Sequence, residues 1–433
     1  MKPAQGKLGV MAVGLGAVTT TFIVGTLMYR KGLGLPGGSV TQMARIRVGR
    51  GKQRRYLKVG EIVPMANVSD MVFGAWDIFP ANAYESAMNA AVLQPKDIEP
   101  VRDELERIRP MAAAFDPDYV SRLAGKGGNL KTGSRRQLID QLRDDIRQFK
   151  TQNGCDRVVV IWAASTEKYV AYDETVHGSL QALETAIDDN RTDLVSPSMC
   201  YAYAAMSEGA PFIMGAPNTC IDIPAMWQLA EQAKVPIAGK DFKTGQTLMK
   251  TVLAPMLRTR CLGLSGWFST NILGNRDGEV LDAPENFHTK EVSKLGVIDT
   301  ILSSKEQPEL YGDIYHKVRI NYYPPRGDAK EGWDNLDIFG WMGRDYGMQI
   351  KVDFLCRDSI LAAPLVLDLV LCADLAQRAG LWGTQRWLSF FLKSPMHDFT
   401  QGEQPLHDLF QQYTVFKNKI RELGGYEPDE EFE

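Results

Sequence analysis

Apolar and polar positions divide the chain into two styles. Residues 8–13 form a short unbroken apolar run, as in a strand covered on both faces, and a glycine turn and a helix-compatible stretch to Tyr29 follow at once. Residues 156–164 (DRVVVIWAA) make a second such run, preceded by an amphipathic helix that starts at Ser134, with Gln137 completing a capping-box pattern. Helix and short apolar strand then alternate: 180–189, 197–207 then 212–215, 223–233 then 235–239. Repeated units of this length predict a parallel, doubly wound α/β sheet. Turns follow the strand ends at Ala163-Ala-Ser-Thr166, Gly215-Ala-Pro-Asn-Thr219 and Gly239-Lys-Asp241, the edge where open parallel sheets bind ligands.

From about Thr244 the pattern changes. A helix over 244–260 precedes a strand at 262–270, and another helix follows Thr289. Strands at 317–323, 336–341 and 348–355 then come without helices between them, and the apolar–polar alternation from Met348 predicts an antiparallel sheet solvated on one side. The economical organisation is an α/β domain over 1–243, an inserted α+β domain over 244–357 and a return over 358–433. Residues 358–380 read as a helix too apolar for an exposed face, with Asp358 suited to the N-cap. The acidic tail 427–433 is expected to fray.

Composition adds bounds. A chain of 433 residues can bury a large core, and a net charge of −4 gives no reason to expect nucleic acid. The basic run Arg45–Lys58 reads either as a solvated hairpin or as a phosphate- or lipid-binding segment. Six cysteines lie without a CxxC pair, and Cys155, Cys200, Cys261, Cys356 and Cys372 sit in or beside apolar runs, as reduced core cysteines do. No HExxH or other zinc spacing is present.

Residues 8–28 carry no charge, so by length they suit a membrane span or a signal sequence. The same stretch holds Gly14-Leu-Gly16-Ala-Val-Thr19 between strand and helix, a layout that seats a pyrophosphate on a helix N-terminus. Thr19 stands where the third glycine of GxGxxG belongs, and the next carboxylate after the turn is Glu61. From this motif alone a dinucleotide site, a membrane segment and a plain buried strand–helix all stay open. The αβ alternation and the lack of further long spans favour the first.

Candidate chemistry lies in three polar clusters amid apolar sequence: residues 241–247 (DFKTGQT), 271–278 (NILGNRDG) and 289–294 (TKEVSK). Lys330 closes the turn-rich Pro324-Pro-Arg-Gly-Asp328-Ala-Lys330, and Lys393 sits in the apolar Phe390-Phe-Leu-Lys393. Lys290 and Lys294 are one helical turn apart. Ammonium groups pushed together favour losing one proton, so at least one pKa should fall. Such a site holds a phosphate dianion and still offers a neutral amine as base. Each lysine alone also reads as a solvated surface residue, and Asp241, Asp277, Asp328 and Asp358 as caps and turns.

Those clusters, with Gly74-Ala-Trp76-Asp77-Ile78, Trp162-Ala-Ala-Ser-Thr166-Glu, Gly327-Asp328-Ala-Lys330 and Asp358-Ser-Ile-Leu-Ala-Ala-Pro364, resemble the inositol-3-phosphate synthases (myo-inositol-1-phosphate synthases) over almost the whole chain. The resemblance implies a Rossmann-like doubly wound parallel sheet carrying NAD, with an inserted, mainly antiparallel α+β domain that builds a cytoplasmic homotetramer. It places NAD at Gly14, Gly16, Ala17, Val18 and Thr19, with Asp77 as ribose carboxylate. Ala164, Ser165, Thr166, Gly215, Asp241 and Thr244 would line the rest of the nucleotide site, and Asn275 and Asp277 the nicotinamide end. Lys290, Lys294, Lys330 and Lys393 match the family's active-site lysines, with Asp328 and Asp358 orienting them and Asn271 and Lys243 beside the substrate. The first loop departs from the family pattern, which is richer in glycine and asparagine where this chain has Ala17-Val-Thr-Thr.

The implied reaction is isomerisation of D-glucose 6-phosphate to 1D-myo-inositol 3-phosphate, the first committed step of inositol synthesis. It runs through oxidation at C5, enolisation, aldol ring closure and re-reduction, with NAD used catalytically. In this reading Lys290 exchanges the proton on the C5 oxygen, Lys393 polarises the C1 aldehyde, and Lys294 and Lys330 hold phosphate and enolate oxygens. A divalent metal or a monovalent cation (ammonium or potassium) is a further expected participant. Two rival readings are a sugar-phosphate dehydrogenase releasing NADH and a non-enzymatic protein anchored by residues 8–28.

Overall fold

The structure, a computed structural model, describes residues 3–429, apart from the side chains of residues 291–295. The first apolar run forms strand β1 (Lys7–Val13), which turns at the glycines into the helix Ala17–Arg30. The 8–28 stretch is therefore broken in two and does not make one span. The basic run forms a hairpin of β2 (Arg45–Val48) and β3 (Arg55–Lys58). There follow β4 (Met71–Asp77), β5 (Met111–Ala112), β6 (Cys155–Trp162), β7 (Phe212–Met214) and β8 (Pro236–Gly239). A second sheet is built from β9 (Gly263–Leu273), β10 (Tyr315–Tyr322), β11 (Ala329–Gly340) and β12 (Gly343–Arg357), after which β13 (Gly383–Thr384) returns to the first.

The first sheet is parallel throughout, in the order β13-β8-β7-β6-β1-β4-β5. Side chains alternate between its faces. Met11, Val13, Trp76, Val160 and Phe212 face a core shared with the helices Arg135–Asn153 and Pro197–Ser207. Leu8, Val10, Val159 and Ile213 face another, shared with Ala17–Arg30, Asp358–Arg378 and Leu409–Leu423. The capping box at Ser134 is present, with its side chain accepting from the Gln137 amide. Among the described residues, Asp358–Arg378 is the one helix long and apolar enough to cross a membrane; most of it is buried against the first sheet.

The second sheet has the order β10-β9-β11-β12. β11 pairs antiparallel with β9 and β12, as the alternation implied, but β10 pairs parallel with β9. The cause lies between β9 and β10, where the helices Arg276–Leu281 and Pro284–Ile301 carry the chain back to the starting edge.

Three smaller expectations are corrected. Cys261 is exposed, because it lies in a turn with φ of +52°, while the other five cysteines are buried; all six are free. Within the acidic tail Asp429 is not frayed, since it meets Arg47 at 2.6 Å and Arg421 at 3.7 Å; residues 430–433 lie outside the described residues. Asp358 occupies the first helical position after Arg357 and makes no capping bond; its carboxylate faces a lysine instead.

Candidate active site

The chain's polar clusters converge at the carboxyl ends of the first sheet's strands. Beyond β1, Gly14 adopts a φ of +92°, and a Cβ there would lie 2.8 Å from Ala164 Cα, so only glycine fits between the β1 and β6 turns. Nothing lies within 4 Å of where a Gly16 side chain would begin, and the helix that Gly16 caps has no side-chain cap. Its first amides are left for an anion. Thr19, in place of the third glycine, is buried and donates its hydroxyl to the Gly14 carbonyl at 2.6 Å. Ala17 and Val18 form the first turn of the helix.

Asp77 ends β4, the neighbour of β1. It sits beside the turn because Val13 pairs with Trp76, and it accepts from the amides of Leu15 (2.6 Å) and Phe79 (2.9 Å). Burial pushes its pKa up, opposed by those bonds. In doubly wound folds a carboxylate close to the first glycine turn can bind a ribose hydroxyl. The hairpin inserted after the first helix explains why no acid follows about twenty residues on. Ser165 and Thr166 follow β6, Gly215 follows β7, and Asp241 to Thr244 follow β8. A crevice with these residues fits a dinucleotide: a glycine cradle, free helix amides and a carboxylate.

Three of the four candidate lysines meet next to it, drawn from three places in the chain. Lys290 rides the helix Pro284–Ile301, Lys330 lies at the start of β11, and Lys393 is in the loop after the short helix Arg386–Phe391. All three are buried. The Asp241 carboxylate, held where φ is +64°, receives Lys290 at 2.9 Å and Lys393 at 3.3 Å on the same Oδ1. Lys330 meets Asp358 Oδ2 at 3.2 Å. Asp328 accepts from the Ser359 hydroxyl (2.7 Å) and the Asn275 amide (3.0 Å). Asn275 also N-caps the helix that carries Asp277. Lys294 has its side chain outside the described residues.

The charges are unequal. Burial pulls the Lys393 pKa down, and with Lys290 and Lys330 nearby it settles at about 8 despite Asp241. Burial also opposes the Lys290 charge, yet Asp241 and Asp277 hold its pKa well above the ordinary range. Lys330 is raised too, because Asp358 outweighs burial. Asp358 and Asp241 resist burial through the same lysines and are held low, while burial raises Asp328. One amine thus titrates near neutrality beside two fixed cations.

Several buried oxygens lack a protein partner. Among them are Thr247 Oγ1, Asn271 Oδ1 and Asp358 Oδ1. Asn271 donates to Gln246 Oε1 at 2.7 Å, and Gly245 abuts both Asp358 Oδ1 and Lys330. Buried acceptors without donors suit a polyhydroxy ligand or a small cation. Lys243 stands apart: its amine meets Gln412 and lies 5.4 Å from the Phe390 ring centre. Burial pushes it down to about 7. Among the described residues no three His, Cys, Asp or Glu side chains group as a metal site.

Sequence reasoning did not single out Ser359 or Asn286, and it named Thr289 only as the first residue of the 289–294 cluster. Ser359 follows Asp358 within the quoted motif, a signal that was available. Asn286 donates to the Tyr119 and Thr166 carbonyls at 3.0 and 2.8 Å, and Thr289 to the Glu167 carbonyl at 3.0 Å. These bonds tie the Lys290 helix to the β6 turn across sequence distances that no local pattern reveals.

Comparison with known proteins agrees in fold and sequence. Residues 8–421 match a family model described as myo-inositol-1-phosphate synthase. The chain is 62% identical over 431 residues to inositol-3-phosphate synthase 1 of Bacteroides thetaiotaomicron, covering 99% of this chain and 98% of that one. It is 34% identical over 450 residues to inositol-3-phosphate synthase 1 of Oryza sativa subsp. japonica, covering 98% and 87%. The crystal structure of inositol-3-phosphate synthase from Caenorhabditis elegans matches with a TM-score of 0.90 at 29% identity, over 99% of this chain and 87% of that chain.

Proposed function

This chain belongs to the myo-inositol-1-phosphate synthase family, and on that premise we propose that its lysine cluster converts D-glucose 6-phosphate to 1D-myo-inositol 3-phosphate. The observation that carries the reading is the set of three buried lysines balanced on Asp241 and Asp358 at the mouth of a dinucleotide crevice. A plain dehydrogenase has no need of three. NAD, held by the Gly14–Gly16 turn, the helix amides and Asp77, supplies reversible oxidation at a sugar carbon when bound.

The residues' own part is to manage protons and oxyanions. Lys290 and Lys330, fixed as cations, stabilise the negative oxygens that form at C5, in the enolate and on the phosphate. Of these three lysines, Lys393 is the one poised to exchange a proton near neutrality. It removes one from C6 as a neutral amine and returns it to the alkoxide formed at C1. We assign exchange at C6 and C1 to Lys393, whereas the sequence reading gives Lys290 the C5 oxygen; with Lys290 held as a cation, the C5 hydroxyl proton leaves to water on oxidation and returns from water on re-reduction. Asp328, fixed by Ser359 and Asn275, and Asp358 keep this geometry. Asn271, Thr247 and Asp358 offer acceptors to sugar hydroxyls or to a monovalent cation.

Other features support the rest of the reading. Six free cysteines suit a reducing cytoplasm. The β12 edge, with exposed Tyr346, Met348 and Leu355, is a surface that pairing with other copies in a homotetramer would cover. The second sheet and its helices would act as the inserted unit over 244–357. The test is incubation with glucose 6-phosphate and a trace of NAD. Inositol phosphate in large excess over NAD supports the proposal, whereas NADH rising in step with sugar consumed defeats it.

A further inference from the structure

Lys393 depends on a residue that touches neither of the carboxylates. Its backbone amide donates to the Asp241 carbonyl at 2.6 Å, and the bridge between Phe242 and Leu392 fixes the chain just before it. Its carbonyl faces away from that bridge, toward His407. His407 Nε2 lies 3.1 Å from the Lys393 carbonyl, and its Nδ1 lies 2.6 Å from Thr300 Oγ1. Thr300 is in the last turn of the helix that carries Lys290. One imidazole therefore joins the loop of one active-site lysine to the helix of another.

The ring is buried and neutral. Burial and the neighbouring Lys243 push its pKa down to about 4. A carbonyl only accepts, so in the neutral ring Nε2–H donates to the Lys393 carbonyl, and the one Thr300 hydroxyl proton goes to Nδ1 at 2.6 Å rather than to the Val297 carbonyl at 3.1 Å. This tautomer fills both ring nitrogens with partners from two separate elements. The backbone next to the ring is fixed as well: Gln412 Nε2 donates to the Leu406 carbonyl, and Lys243 donates to Gln412.

We infer that His407 is a positioning residue for the ring-closing chemistry, setting the separation between the Lys393 loop and the Lys290 helix. The inference rests on the proposal that both lysines serve one reaction. The common alternative is a core histidine whose bonds serve stability alone. The two differ in what they predict for turnover, because a shift of about 1 Å in a reacting group can lower a rate a hundredfold without weakening ligand binding.

The experiment compares His407→Leu, Thr300→Val, their double variant and Lys393→Ala in the full-length enzyme. It measures kcat and KM for glucose 6-phosphate, NAD affinity and Tm. His407→Leu is expected to lower kcat about tenfold to a hundredfold, with KM and NAD affinity within about twofold of native. The double variant should be no worse than His407→Leu, since both cuts break one link. Native kcat in His407→Leu, additive losses, or a parallel fall in kcat, NAD affinity and Tm overturns the inference. If His407→Leu does not fold, Thr300→Val carries the same test: lowered kcat at native NAD affinity supports the inference, and native kcat overturns it. Lys393→Ala separates the levels: if it turns over normally the proposed function itself fails, whereas an inactive Lys393→Ala beside a fully active His407→Leu sinks only the positioning role.

Discussion

Asp241→Asn removes one negative charge and little else, which makes it the sharpest probe of the lysine cluster. In the native protein Asp241 Oδ1 lies 2.9 Å from the Lys290 amine and 3.3 Å from that of Lys393. At an effective dielectric of about 20, each contact represents about 5 kcal/mol of attraction. Losing little more than a quarter of one is about 1.4 kcal/mol, tenfold in an amine's proton affinity. The sign is fixed: without the carboxylate both lysines hold their protons less tightly. Lys393, already at about 8, should then titrate at or below about pH 7. The assay is the pH dependence of kcat/KM for inositol phosphate formation, with NAD affinity measured on the same preparations. If neutral Lys393 is the base, the native rate climbs to a plateau above about pH 8. In Asp241→Asn that limb should move at least one pH unit toward acid, and the plateau should drop because Lys290 is no longer a secure cation. An unmoved limb in a variant that still binds NAD would refute the electrostatic account.

Other tests reach different parts of the molecule. Gly14→Ala places a methyl 2.8 Å from Ala164 Cα at a φ of +92°, so NAD affinity should fall at least about tenfold; native affinity by titration calorimetry would show the cradle is elsewhere. Lys243, pushed down to about 7, sheds its proton in the folded state before the unfolded chain does. Stability should therefore rise between about pH 7 and pH 10.5, and Lys243→Met should flatten that slope in denaturant titrations; an unchanged slope assigns it to other groups. Leu355→Lys on the exposed β12 edge should shift a tetramer toward smaller species in light scattering, and an intact tetramer would place the contact on another surface.

The repeating α/β pattern was legible because a doubly wound sheet writes itself in local runs: residues 156–164 became β6, and 197–207 became a helix with those bounds. The parallel pairing of β10 with β9 was not, since antiparallel alternation and a helical return to the far edge look alike within one strand. In the site, the lysines and aspartates were legible through charge in apolar surroundings. Their division of labour was not, because it depends on Asp241 serving two amines that lie 49 and 152 residues away. Asp358 shows the same limit: an acid at a helix start reads as a cap until Lys330 is placed beside it. Asn286 and His407 gave no local sign at all, being ordinary polar residues whose partners arrive from distant segments.

The second face of the first sheet has a consequence for how the chain is made. Strands β1, β4, β6 and β7 are complete by Met214, yet Leu8, Val10, Val159 and Ile213 are covered by residues of Asp358–Arg378 and by Phe416 and Ile420. At about 5–20 residues per second on the ribosome, the nascent sheet waits roughly ten seconds or more with that apolar face covered only in part, by the helix Ala17–Arg30. The edge strand β13 and the Arg47–Asp429 clasp are also late arrivals. Folding of the nucleotide half is therefore coupled to segments made after the second sheet, and a chain cut short there would lack the Asp358–Arg378 residues that complete this face.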